Sequence, residues 1–399
     1  MTKRDEAGDS LLNAKALLTA CARAHSTSAQ LQSIRELASK PVAWKKLAHS
    51  AELHSVAQLL AFNLEKAGAP VPPGDRQQIR MGFLRRSCEA TRMAGELVRV
   101  VELLRANRIR AIALKGPTLA AAAFGNVALR LSVDLDILVH PHDAPWAGRL
   151  LQELGFKGWD WPQREDAHRM RFNCEHMLVC AERRMVVDLH WALAPGIMRM
   201  PATFDELWER TVEVKIAGSP IRALSPEDLL MFLALHGAKH QWGALGLVCD
   251  LAELIRSSPN IDWGWVHSRS RELGMLRILH MGLYLASDLL DAPLPRTVIT
   301  QMHRDPLARL LARAAARKML DEPPEKMGLL ANLRRYLFSI RVRERVRDRV
   351  GFVLAAAAPT ARDIDALKLP EKLTIFYPLL RPFRILARHG REAGIATAR

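Results

Sequence analysis

Residues 132–139 read SVDLDILV, and the reading of this stretch decides the fold. Val133, Leu135, Ile137, Leu138 and Val139 have the character of a buried β-strand, yet Asp134 and Asp136 stand among them. Side chains alternate faces along a strand, so the two aspartates point the same way and Leu135 and Ile137 the other. An isolated buried carboxylate is costly unless something compensates it. The acid-bearing face must therefore be wet or meet a cation. Two oxygen ligands one pleat apart can clamp a hard divalent ion such as Mg²⁺.

The surrounding sequence alternates short strands and helices. RAIALK (110–115) reads as a strand, and GPTLAAAAFG (116–125) as a turn followed by a small-residue helix. APWAGRLLQELGF (144–156) is a helix closed by Gly155. HMLVCA (176–181) and MVVDLHWAL (185–193), separated by Glu-Arg-Arg, read as a hairpin, and VEVKIAG with IRAL as a second, more exposed one. On either side the pattern is helical. LLNAKALLTACARA, SVAQLLAFNLEKAG and RMAGELVRVVELLRANRI carry apolar residues at three- and four-residue spacing, with APVPPGD (69–75) breaking the series. Helices return at Ser225, a suitable N-cap followed by Pro226, Glu227 and Asp228. The expected architecture is α+β: a small mixed sheet with helices at 109–224, flanked by helical regions at 1–108 and 225–399.

Asp188, in VVDLHW, is a third acid amid apolar strand residues. If its strand lies beside the first, three carboxylates converge, enough to hold one or two metal ions that bind a triphosphate and steady a leaving pyrophosphate. Its neighbour His190 shares its face, which equally suits a solvent-facing edge. Gly116 ends a strand and opens a helix, a geometry that offers backbone N–H groups to phosphate. Lys115 adds a mobile positive charge, and Arg130 can contact phosphate or pair with the acids. His236 and His240 have the i, i+4 spacing of zinc-binding helices, but HGAKH lacks the glutamate a metalloprotease places after its first histidine.

LKG, then LRLSVDLDILV, then VVDLHW, then LHGAKHQWGALGLVCDLAEL together resemble the uncharacterised nucleotidyltransferase family of the polymerase-β-like superfamily, over roughly residues 80 to 290. The resemblance implies that Asp134 and Asp136 bind Mg²⁺, with Mn²⁺ as the alternative. Asp188 is then the third ligand or the base, and Gly116 the phosphate turn. It also implies that the C-terminal helical region closes over the nucleotide, with Lys239 and His240 reaching the triphosphate and Asp250 orienting one of them. The superfamily's turn is Gly-Ser or Gly-Gly, whereas here Pro117 follows Gly116 and withholds one N–H donor. The implied activity is transfer of a nucleoside monophosphate from a triphosphate to the hydroxyl of an acceptor whose identity (protein, sugar, small molecule or RNA) stays open. The rival readings are a catalytically inactive nucleotide-binding or adaptor protein and a nucleic-acid-binding protein.

The bulk composition sets the remaining expectations. Lys and Arg number 58 against 42 Asp and Glu, a net charge of +16 that suits a polyanionic partner. Only 6% of residues are aromatic, which disfavours a nucleic-acid surface built on base stacking. The Arg-rich stretch 334–350 and the mixed apolar and basic stretch 373–391 are candidates for weak association with anionic membrane or nucleic acid. Five scattered cysteines without a Cys-x-x-Cys pair fit reduced thiols. No apolar run approaches the ~20 residues that span a bilayer, and no signal peptide is evident. A cytoplasmic protein is expected.

Overall fold

The computed structural model describes residues 3–158, 174–193, 202–321 and 329–357. Helices α1 (Lys3–Cys21), α2 (Ser28–Ala38), α3 (Trp44–Leu53) and α4 (Ala57–Lys66) come first. Thr27 caps α2 through a reciprocal box with Gln30. The Pro-Gly break after α4 then opens into α5 (Pro73–Ala106), 34 residues long with proline in its first turn. At 1.5 Å per residue, α5 spans ~51 Å.

The expected strands follow: β1 (Ala111–Ala113), α6 (Pro117–Phe124), β2 (Leu135–Val139), α7 (Ala144–Glu153), β3 (Glu175–Cys180) and β4 (Met185–His190). After α8 (Phe204–Glu209) comes the second hairpin, β5 (Val212–Ile216) and β6 (Ser219–Ala223). The strands form one mixed sheet in the order β3-β4-β2-β1-β6-β5. β2 runs antiparallel to β1 and parallel to β4, and β6 joins β1 in parallel through Ala113 and Ala223. The chain is thus α+β, as the alternation of patterns predicts.

Helices resume as α9 (Pro226–Lys239), α10 (Leu245–Ser257), α11 (Trp263–Leu273), α12 (Leu276–Leu290), α13 (Arg296–Met302), α14 (Pro306–Asp321), α15 (Leu329–Arg341) and α16 (Val346–Ala357). The Ser225 hydroxyl accepts from the Asp228 N–H at 3.2 Å, capping α9. None of the helices among the described residues is long and apolar enough to cross a membrane. The stretch 334–350 divides between α15 and α16. At the break Arg343 is buried and its guanidinium lies 4.2 Å from the Phe352 ring centroid. Residues 373–391 lie outside the described residues.

Each face of the sheet has its own apolar layer. Ala113, Leu135, Ile137, Val139, Val187 and Leu189 pack with α5 and α7 residues such as Leu97, Leu104, Leu150 and Leu151. The opposite face contributes Ile112, Leu114 and Leu138 to a larger core shared with the N-terminal helices and with α9, α10 and α12. The C-terminal half of α5 therefore sits under the sheet, across the boundary expected at residue 108. The second face, shared with α9, carries the acids.

Candidate active site

Strand pairing solves the puzzle of SVDLDILV. β2 and β4 lie side by side in parallel, and their register sets Asp136 opposite Asp188 and Leu138 opposite His190. Leu138 is buried in the core, so this face passes from apolar to acidic toward one end of the strand. Asp134 stands one residue before β2 begins, at the open end, and is part-exposed. Leu135 and Ile137 anchor the strand from behind with 1% and 0% of their surface exposed. One carboxylate oxygen from each of Asp134, Asp136 and Asp188 lies within 4.8 Å of the other two. Three hard oxygen donors so close together suit a divalent cation that favours oxygen.

The positive charge next to these acids is Lys115. It leaves the end of β1, where the Leu114 N–H donates to the Asp136 carbonyl at 3.0 Å. Its Nζ stands 2.6 Å from Asp136 Oδ2 and 3.1 Å from Asp134 Oδ1. Lys115 is 8% exposed, which rules out a free surface lysine. Burial works against its charge, but Asp136 and then Asp134 outweigh it and raise the ammonium above the ordinary lysine value. His190 Nε2 lies 3.2 Å from the other Asp136 oxygen, and its Nδ1 3.4 Å from Glu175 Oε2. Burial alone would raise the Asp136 carboxyl; the His190 hydrogen bond and the Lys115 charge hold it well below the usual range. Asp188 has no comparable partner among the described residues. Burial, then the charges of Asp136 and Asp134, push its carboxyl up to about 6.

Gly116 adopts φ +77° as the residue before α6, a backbone region that favours glycine. Arg130 does not pair with the acids of β2. Its guanidinium holds Asp250 on α10 through two parallel bonds of 2.6 and 2.8 Å and also donates to Ser132 Oγ at 3.1 Å. Asp250 is thus engaged with Arg130 rather than with a residue of α9. On α9, Lys239 Nζ reaches Glu175 Oε1 at 3.4 Å, and the rings of His236 and His240 are 4.6 Å apart. Burial and the Lys115 charge push His236 far below the usual imidazole value. Burial, followed by Lys239, lowers His240 as well.

These groups border two connected spaces. A pocket of about 170 Å³ is lined by the three aspartates, Lys115, Glu175 and His190, and closed from above by His236 and Lys239. Lys115, Asp134, His236 and His240 also line a neighbouring cavity of about 440 Å³, together with Arg130, Ser132, Gly243, Ala244 and Gly246. All eight residues expected at the site thus lie within or beside one cleft between the sheet and α9, with Gly116 behind Lys115.

Two contributors escape a reading of the sequence. His190 looks like evidence for a wet edge, but it is 3% exposed and braces Asp136. Glu175 faces His190 across the β3–β4 hairpin. The turn at Glu182–Arg184 carries the signal: pairing outward from Cys180 and Met185 arrives at these two residues.

A glycine turn before an Asp-x-Asp strand, a third acid on the adjacent parallel strand and a helical layer across the cleft define a nucleotidyltransferase. The chain belongs to the uncharacterised nucleotidyltransferase family, whose model matches residues 40–291. No curated protein and no solved structure matches it.

Proposed function

We propose that the protein transfers a nucleoside monophosphate from a nucleoside triphosphate to an acceptor hydroxyl, with release of pyrophosphate and dependence on Mg²⁺ or Mn²⁺. The observation that carries this reading is the register of β2 on β4, which gathers Asp134, Asp136 and Asp188 within 4.8 Å. A divalent ion held by these three carboxylates would neutralise charge on the transferring phosphate. The rest of the chemistry belongs to the chain. The 440 Å³ cavity beside the acids is of a size that holds small molecules. There the Arg130 guanidinium, Lys115 and His240 would meet the triphosphate or the sugar, with Lys239 on the adjoining pocket over the acids, and Arg130 is fixed in orientation by Asp250.

The acceptor oxygen bonds to the α-phosphorus as the bond from that phosphorus to the β-phosphate bridging oxygen breaks. Pyrophosphate leaves with the electron pair. Asp188, on the strand beside the other two acids, is the group we assign to take the acceptor's proton. His190 acts at one remove by holding Asp136 in place.

The test is incubation with each α-³²P-labelled nucleoside triphosphate, Mg²⁺ and cell lysate. Label should pass to one acceptor with the unaltered protein and fail to pass with Asp134→Asn or Asp136→Asn. Full transfer by either variant would refute the assignment, and binding of nucleotide without turnover by the unaltered protein would favour an inactive nucleotide-binding protein.

A further inference from the structure

Beside the three aspartates lies a second group of donors with a different chemistry. His190 is 3% exposed and donates from Nε2 to Asp136 Oδ1 at 3.2 Å. Its other ring nitrogen, Nδ1, is buried and makes no hydrogen bond among the described residues. That nitrogen faces Glu175 Oε2 at 3.4 Å. The same glutamate oxygen lies 3.7 Å from the Sγ of Cys174, a buried free thiol. The second glutamate oxygen, Oε1, is met by Lys239 Nζ at 3.4 Å, which leaves Oε2 to the cluster.

Local structure brings the three side chains together. The pairing of β3 with β4 sets Glu175 opposite His190. Cys174 stands one residue before β3, tied to the ladder by the Trp191 N–H, which donates to its carbonyl at 2.9 Å. One donor atom from each of Cys174, Glu175 and His190 lies within 4.8 Å of the other two. All three residues line the 170 Å³ pocket. Glu175 is part-exposed and gives an ion a way in.

We propose that Cys174, Glu175 and His190 form a binding site for Zn²⁺, separate from the all-oxygen site of the aspartates. Thiolate sulfur and imidazole nitrogen beside a carboxylate suit zinc, whereas Mg²⁺ takes oxygen. The spacing agrees. Tetrahedral zinc, with Zn–S ~2.3 Å and Zn–N and Zn–O ~2.1 Å, holds nitrogen and oxygen ~3.4 Å apart and sulfur and oxygen ~3.6 Å apart. The corresponding atoms here stand at 3.4 and 3.7 Å. Charge agrees as well, since a thiolate and a carboxylate together offset the two charges of the ion. On binding, the Cys174 thiol releases its proton to solvent and zinc takes the place of that proton between Sγ and Oε2. Asp136 already stands where a metal-bound histidine has its outer partner: it accepts from the ring nitrogen that does not meet the ion, which fixes the tautomer. Zinc on Nδ1 makes the Nε2 proton a stronger donor, so the ion holds an aspartate of the neighbouring centre without touching it.

The site asks nothing of the nucleotidyltransferase reading, and its test uses the metal alone. The experiment is equilibrium dialysis of ⁶⁵Zn²⁺ against the full chain in excess Mg²⁺, paired with the absorption spectrum of the Co²⁺-loaded protein. The unaltered protein should retain one zinc per chain. Cys174→Ser and Glu175→Gln, each close in size to the original residue, should lower zinc affinity by tenfold or more, and Asp134→Asn should keep it within threefold. The Co²⁺ form should show a thiolate-to-metal charge-transfer band that Cys174→Ser abolishes and that Cys88→Ser, at the exposed thiol, retains. Failure to retain zinc against Mg²⁺ overturns the site and leaves His190 as an imidazolium between two carboxylates. Zinc affinity unchanged in Cys174→Ser, or reduced as far in Asp134→Asn, also overturns it, since the ion would then sit on the aspartates.

Discussion

With its ammonium 2.6 Å from Asp136 and 3.1 Å from Asp134, Lys115 is the counter-ion that lets the acid pair fold without metal. Removing it takes the one close cation from a buried carboxylate and leaves it only the His190 hydrogen bond, a change that costs up to roughly 3–5 kcal/mol. Lys115→Met should therefore lower the unfolding free energy by about that amount at pH 8 in chelator, and Mg²⁺ should restore more stability to the variant than to the unaltered chain. Urea unfolding with and without Mg²⁺ measures both. Asp188 behaves in the opposite sense. Its folded-state carboxyl sits near 6, above the unfolded value of 3.8, so between those values the native state holds a proton that the unfolded chain has lost. Its contribution to stability is thus complete below about pH 4 and declines as pH rises through 6. In chelator, Asp188→Asn should be more stable than the unaltered protein by about 1–2 kcal/mol at pH 8, after allowance for partial solvent screening, and no more stable at pH 4. Equal unfolding midpoints at pH 8 would contradict this. At this scale much was legible: two acids one pleat apart in an apolar run demand compensation. The source of that compensation was not, because a lysine at a strand end reads alike whether it faces water or turns inward.

Among the elements, the turn joining α9 to α10 has the most specialised packing. Gln241 and Trp242 both take φ +53°, and the Trp242 indole is fully buried. A Cβ added at Gly237 on α9 would come within 2.5 Å of that ring, and one at Gly282 on α12 within 2.9 Å. The two glycines form a slot that fits an indole, and the slot fixes where His240 stands relative to the acids. Trp242→Ala should cost about 3–5 kcal/mol by chemical denaturation. Gly237→Ala should destabilise by about 1–3 kcal/mol through overpacking, and either change should weaken binding of a nucleotide analogue at the 440 Å³ cavity. Unaltered denaturation midpoints would show that the turn tolerates rearrangement. The hairpins, the helix cap at Ser225 and the strand containing Asp136 were readable from alternation, turn residues and capping chemistry. The slot was not, since two glycines 45 positions apart announce nothing until α9 and α12 are packed together.

For the molecule as a whole, the helices beyond the sheet hold histidines that stay neutral when folded. His267 and His280 are buried on α11 and α12 with ring centroids 5.4 Å apart. Burial, then the neighbouring His267, lowers His280 to about 4, against 6.5 when unfolded. The unfolded chain binds more protons in that interval, so stability falls as pH drops from about 6.5 toward 4. His280 alone should account for roughly 1 kcal/mol of loss by pH 5.5, and His280→Leu should flatten the slope of stability against pH by that amount. Urea titrations at pH 7.5 and 5.5 supply the comparison. Composition announced a basic protein but could not place the charge, because +16 is a sum and where it gathers depends on which helices meet. The order of the strands was equally hidden: β6 reaches β1 through Ala113 and Ala223, 110 residues apart. Such distant pairings depend on the whole core. That dependence gives α5 a particular consequence. One continuous rod braces α3 and α4 at its start and covers the rear of the sheet at its end, so a chain cut ahead of β1 would strip the α5 side of the layer around Ala113, Ile137 and Leu189 and leave only α7 over it. Loosening the amino-terminal bundle should then be felt by the aspartates along a single rigid lever, with no hinge in between to absorb it.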